Sequence, residues 1–159
     1  MIKRTRLYRI VTTPPLSDME ELINLLKELS IPRVLISPGA KESNQPSIKT
    51  NDQEASKQMT KYLINSGHKR IAFIKGHPSH LSVGDRVKGF FEAMNEAKIN
   101  CLNELIESGL NSYESGLECA RRLLSLKNRP TAIFAANDEM AAAVIRIAQE
   151  YKLRIPEDL

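Results

Sequence analysis

The sequence contains no tryptophan and only two cysteines, Cys101 and Cys119. Two thiols exclude a disulfide framework of the kind that staples small secreted folds, and they fit a reducing cytoplasm. Histidine is equally scarce, at His68, His77 and His80. His77 and His80 stand close enough to share a metal, but no Cys, Asp or Glu follows at a matching ligand spacing. No apolar run approaches the roughly 18 residues that a membrane-spanning helix requires. Residues 1–9 are basic but lack the apolar stretch of a secretory signal. Three enzyme signatures are missing as well. There is no Gly-x-Gly-x-x-Gly dinucleotide fingerprint, no Gly-x-x-x-x-Gly-Lys phosphate loop and no Gly-x-Ser-x-Gly nucleophile elbow. Neither a cofactor nor a membrane partner is expected.

What is present is ordinary for a globular protein: 159 residues, 42% apolar and 26% charged. A chain of this length buries a real core without staples. Lys and Arg total 23 against 19 Asp and Glu, a net charge of +4. That excess is too mild to imply nucleic acid by itself.

The apolar pattern alternates between two periods. Short continuous runs at 10–12, 34–36, 71–74 and 131–135, with a weaker one at Leu105 and Ile106, predict strands buried on both faces. Amphipathic stretches lie between them. Ser17 and Glu20 have a capping-box spacing ahead of Leu22, Ile23, Leu26 and Leu29. Asp52 is a good N-cap for a helix carrying Ala55, Met59, Tyr62 and Leu63 on one face, with Gly67 as its stop. Val83, Val87, Phe90, Phe91 and Met94 give the cleanest helical period. Two more helices are predicted from about Ser112 and from Asn137-Asp138. Alternating strands and helices predict βαβ units in a doubly wound parallel α/β sheet. The polar stretch 37–45 is a surface loop or a connection between two lobes.

In open α/β sheets, ligands sit where strands end and helices begin. After the 71–74 run comes KGHPSHLSVGDR, dense in hydrogen-bonding groups. Arg86 falls near the start of a helix, where the macrodipole does not favour a cation. It either meets a ligand or pairs with Asp85 or another carboxylate. After the 131–135 run come Asn137 and Asp138. Asn137 carries donors and an acceptor suited to sugar hydroxyls or base edges. One of the two caps the helix, leaving the other free. His68 is expected in a turn or cap, and Cys119 is expected to pack.

In order and spacing, several motifs resemble the effector-binding core of LacI/GalR-type bacterial transcription regulators. They are Tyr62-Leu63-Ile64, Gly67-His68-Lys69-Arg70-Ile71-Ala72-Phe73-Ile74, Ser82 with Arg86, and Gly89-Phe90. Downstream come Tyr113-Glu114-Ser115-Gly116, then Pro130-Thr131-Ala132-Ile133-Phe134-Ala135 with Asn137-Asp138 and Met140-Ala141, and finally Ile155-Pro156-Glu157-Asp158-Leu159. Upstream, residues 12–17 and 31–36 share the likeness, so it covers about residues 10–159.

The resemblance implies a periplasmic-binding-protein-like core of type I with two lobes and a ligand cleft. Residues 1–51 would form part of the N-terminal lobe and residues 52–159 part of the C-terminal lobe. Arg86 would hold ligand hydroxyls or a carboxylate, with His80 and Ser82 lining the same cleft and Asn137 binding from the next strand end. Asn111 and Ser37 would also face the cleft; Ser37 stands where the family usually has an acidic residue. The effector would be a small molecule, a carbohydrate, and the complete protein a cytoplasmic homodimer. Operator DNA would be bound only through a helix-turn-helix domain that this sequence does not contain. The sequence is therefore expected to be the middle of a regulator, cut at both ends. The basic arm of Lys3, Arg4, Arg6 and Arg9 is expected to be a solvated tail, or else to give weak, salt-sensitive contact with any DNA. Two rivals are a transport-type sugar-binding protein of the same fold and a small α/β enzyme; the absent signal peptide opposes the first and the absent enzyme motifs oppose the second.

Overall fold

The computed structural model describes residues 10–12, 28, 32–36 and 46–159. The chain divides into two compact units, Met1–Asn51 and Asp52–Leu159. In the first unit, β1 (Ile10–Thr12), β2 (Arg33–Ile36) and β3 (Ser47–Ile48) form a parallel sheet in the order β1-β2-β3. Both apolar runs expected in this unit are strands, as their composition predicts. β3 was not legible, because two residues beside a polar stretch carry no period. The helix expected from Ser17 lies outside the described residues, apart from Glu28, which is helical. The basic arm and Ser37 also lie outside them.

The second unit opens with α1 (Asp52–Asn65) and continues through β4 (Ile71–Lys75), α2 (Leu81–Glu96), β5 (Ile106–Ser108), α3 (Tyr113–Leu124), β6 (Ala132–Ala135) and α4 (Asp138–Glu150). All three strands run parallel in the order β5-β4-β6. The expected strand at Leu105 begins one residue later, because Leu105 closes a 3-10 turn, Asn103–Leu105. From β4 the chain steps to one side, then crosses back to the other. Right-handed connections in opposite directions place α2 and α3 on opposite faces. In keeping with this, α1 packs on α2 and α3 on α4.

β4 is the centre of the core, with Ile71, Ala72, Phe73 and Ile74 all buried. A strand covered on both faces has no reason to alternate, which is why the run reads as continuously apolar. Phe73 stacks on Phe90 of α2 at 4.8 Å between ring centroids and tilts against Phe134 of β6 at 5.0 Å. Met140, Ile147, Leu123 and Cys119 are buried in the same cluster.

α1 corrects the sequence reading. The helix includes Asp52 as its first residue, and its buried positions are Ser56 and Thr60. Met59 is 43% exposed and Tyr62 65% exposed, while Ala55 is also exposed. Of the expected stripe, Ala55, Met59 and Tyr62 face outward and Leu63 packs against the core, because nearer its start α1 meets α2 through backbone and hydroxyl groups. A Cβ on Gly89 would overlap the Gln53 carbonyl and lie 2.9 Å from the Lys57 amide nitrogen. Ser56 donates its hydroxyl to the Arg86 carbonyl at 2.6 Å. Ion pairs close the rim of this contact, with Lys57 and Lys61 both on Glu96 at 2.5 and 2.7 Å. At the other end, Gly67 has φ 97°, and the amides of Gly67 and His68 donate back to Ile64 and Leu63. This is the helix stop that its position predicted.

Candidate functional site

In a parallel sheet every carboxyl end lies on one edge. Here β4, β5 and β6 deliver residues 76–80, 109–112 and 136–137 to that edge, each leading into a helix. The chain changes direction between β4 and β6, which makes the crevice between them the topological switch point of this sheet. His80, Ser82 and Arg86 follow β4; Asn137 follows β6; Asn111 follows β5. Five of the six predicted site residues therefore share one edge, and the sixth, Ser37, lies outside the described residues.

Hydrogen bonds knit the three loops together. The Gly109 amide donates to the Lys75 carbonyl at 2.8 Å, and the Ala136 amide to the Ile74 carbonyl at 2.9 Å. Asn137 is the N-cap of α4, its Oδ1 accepting from the Met140 amide at 3.0 Å. Its Nδ2 donates to the Asn111 carbonyl at 2.9 Å. Capping therefore falls to Asn137, and Asp138 is left exposed. Of the side-chain amide's four hydrogen-bonding positions, one donor and one acceptor remain for another partner.

Asn111 sits at φ 62°, a left-handed conformation that Asn tolerates better than most residues. Its side-chain oxygen lies directly over Gly76, where a Cβ would overlap it and would sit 2.8 Å from Val83 Cγ2. Gly76 is thus a site-shaping residue that sequence reasoning missed. A glycine immediately after a buried strand was its available signal.

Arg86 has the carboxylate partner that sequence left open, but the partner is not Asp85. Asp85 receives Lys88 at 3.1 Å. Arg86 donates through Nε and Nη2 to the same Asp52 oxygen, each at 2.8 Å, and through Nη1 to the Ala136 carbonyl. Asp52 is only 13% exposed on its side chain and Arg86 33%. Asp52 was read as a cap but is the first residue of α1; its pairing with Arg86 was not legible, because the two lie 34 residues apart.

His80 is the N-cap residue of α2, but its side chain makes no capping bond. Its Nε2 is removed from solvent and meets no hydrogen-bond partner among the described residues. Burial, then the nearby His77 and Arg86, push its imidazole below the ordinary value of 6.5. His77 lies 6.0 Å away, ring to ring, and is engaged by Ser79, whose hydroxyl stands 2.7 Å from Nδ1. Among the described residues no group of three or more His, Cys, Asp or Glu could hold a metal ion. Ser82, the second residue of α2, is half-buried. His68 lies at the opposite end of the sheet, its Nδ1 3.0 Å from the Thr131 hydroxyl. Cys119 packs in the core, and burial raises its thiol above the ordinary value.

An open α/β sheet with polar loops gathered at its switch point defines a ligand-binding fold. The signature of the periplasmic binding protein-like domain matches residues 60–159. The chain is 39% identical over 145 residues to the HTH-type transcriptional repressor PurR of Vibrio vulnificus (strain CMCP6), covering 90% of this chain and 43% of that protein. The crystal structure of the transcription regulator CcpA of Lactococcus lactis superposes with a TM-score of 0.82 at 31% identity, covering 96% of this chain and 55% of that one. The structure of the transcriptional regulator CelR in complex with cellobiose gives a TM-score of 0.84 at 28% identity, with 96% and 47% covered. The chain belongs to the periplasmic binding protein-like domain family, as a LacI/GalR-type effector-binding core. It spans less than half the length of the curated relatives it matches.

Proposed function

We propose that this chain is the small-molecule-sensing part of a transcription regulator and that its effector is a carbohydrate. What supports this reading is that Asn111, Asn137, His80 and Ser82 all follow strand ends at the one carboxyl edge of the sheet, with Asn137 bonded to the Asn111 carbonyl. Their side chains carry hydrogen-bonding groups suited to hydroxyls, and burial pushes the His80 imidazole below its ordinary value. Asn137 and Asn111 retain unused amide positions there. No catalytic constellation is assigned to this edge, and the role is binding rather than turnover. The cellobiose in the CelR structure supports a sugar as the class of effector.

In the complete protein the effector would act by differential affinity for two states, shifting the population that holds operator DNA. Operator contact would belong to a helix-turn-helix domain, and the working form would be a cytoplasmic homodimer. Among the described residues no helix is long and apolar enough to cross a membrane. Residues up to Asn51 would contribute the N-terminal lobe and residues from Asp52 the C-terminal lobe, with Ser37 as a contact from the former.

The test is titration calorimetry of the protein against a panel of neutral mono- and disaccharides, cellobiose included, repeated on Ser82→Ala and Asn111→Ala. Saturable binding to one panel member, weakened tenfold or more by either substitution, is expected. Binding to none, or binding indifferent to both substitutions, overturns the reading.

A further inference from the structure

The guanidinium of Arg86 spans two places that the sequence keeps far apart. On one side is Asp52, the first residue of α1, immediately after the unit boundary at Asn51. On the other is the carbonyl of Ala136, which belongs to the same peptide unit as the Asn137 nitrogen. Three of the five guanidinium N–H groups are committed to these partners. Both contacts to Asp52 fall on one carboxylate oxygen, in a half-buried setting. The α2 backbone beneath is fixed in turn, since Ser56 of α1 donates to the Arg86 carbonyl. The Gln53 amide donates to Glu92 one and a half turns further along α2.

We propose that Arg86 is a positioning residue that ties the start of α1 to the loop presenting Asn137. This rests on the carbohydrate-sensing reading for its biological meaning, but its geometry stands apart from any ligand. Hydrogen bonds to charged groups are stronger than neutral ones. An Arg fork can hold a carboxylate and a carbonyl at once, where a Lys ammonium supplies one point of attachment. The brace therefore fixes the Ala136 carbonyl, and with it the Asn137 side chain that caps α4 and reaches Asn111. Asp52 offsets the charge of Arg86 at this edge. A shift at the Asn137 loop is felt at Asp52, where the chain enters this unit, and the reverse holds by linkage.

The experiment follows amide exchange in the whole chain for Asp52→Asn and Arg86→Lys. The Met140 amide, which Asn137 accepts, is the reporter, and the β4 amides of Ile71 to Ile74 are the internal reference. Both variants are expected to speed Met140 exchange at least tenfold while leaving the β4 amides within twofold. The Lys variant is expected to retain the thermal midpoint better than the Asn variant without restoring Met140 protection. Unchanged Met140 exchange, or Met140 and β4 amides rising together, overturns the brace. A cellobiose titration on the same samples tests the sensing reading separately, since the exchange result does not require a ligand.

Discussion

The side-chain amide of Asn137 donates to the main-chain carbonyl of Asn111 across 2.9 Å, joining the loop after β6 to the loop after β5. The same side chain caps α4 through its oxygen. One residue thus supports a helix start and a neighbouring loop. Asn137→Ala is expected to cost about 1 kcal/mol for the lost cap and about 1 kcal/mol more for the lost hydrogen bond. Asn137→Asp keeps the accepting oxygen and loses the donor, so it should show roughly half that loss. Urea denaturation of the three proteins measures both, and equal losses for Ala and Asp would disprove the division of labour.

Two glycines on α2 should respond in opposite directions. Gly89 lies against the α1 backbone, and a methyl there meets the Gln53 carbonyl. Gly89→Ala is expected to destabilise by about 1–3 kcal/mol, the usual range for overpacking. Gly84 has nothing within 4 Å of a Cβ position, so Gly84→Ala should stabilise by about 0.5–1 kcal/mol through helix propensity. Thermal or chemical unfolding of both variants decides the point, and matching signs would refute the packing account.

Acid should weaken the α1–α2 contact. Lys57 and Lys61 hold the Glu96 carboxyl down from its ordinary 4.5 to about 2. Its pKa is lower in the folded state than in the unfolded one, so its contribution is full above about pH 4.5 and disappears as pH falls towards 2. These side chains are exposed, so salt should diminish the effect. Glu96→Gln is expected to flatten the stability profile between pH 5 and 2 relative to the parent, most visibly at low ionic strength. Parallel profiles for the two proteins would count against the assignment.

A second acid-side contribution comes from His80. Its pKa is pushed below 6.5 by burial, so the unfolded chain takes up a proton before the folded one. The neutral form's contribution is complete above about pH 6.5 and is lost as pH falls through the lowered value. His80→Gln should therefore remove part of the stability gradient below pH 6.5. A gradient unaltered by the substitution would show that His80 is not its source.

In the second sheet, β6 pairs with β4 on one side and has no strand on its other side among the described residues. An open edge favours pairing with another chain. Sedimentation is expected to show concentration-dependent association of the isolated chain. A monodisperse monomer through the high micromolar range with a steep thermal transition would contradict it.

What the sequence made legible follows the range of the interactions. The stop at Gly67 and the cap at Asn137 depend on neighbours within a few positions, and residue type alone pointed to them. β4 was legible because burial on both faces leaves an uninterrupted apolar run. The outward stripe of Met59 and Tyr62 was misread because periodicity locates apolar side chains but does not show whether a helix packs by its side chains or by its backbone. The partner of Arg86 escaped for a related reason. An ion pair 34 residues apart in sequence exists only after α1 and α2 have docked. Asn111 was named from family likeness, yet its left-handed backbone and its place over Gly76 came from tertiary geometry.

The common carboxyl edge of β4, β5 and β6 has an evolutionary consequence. The side chains we propose to face a ligand there hang on three separate loops, while the residues that hold the sheet lie beneath them in β4 and its covering helices. Recognition can drift one loop at a time without reopening the core. The exceptions are positions such as Asn137 and Arg86, where ligand edge and scaffold share one side chain; change there is constrained by folding before it is constrained by specificity. Diversification of effectors on this scaffold should therefore concentrate at positions such as Ser82 and His80, whose side chains make no hydrogen bond to another element among the described residues.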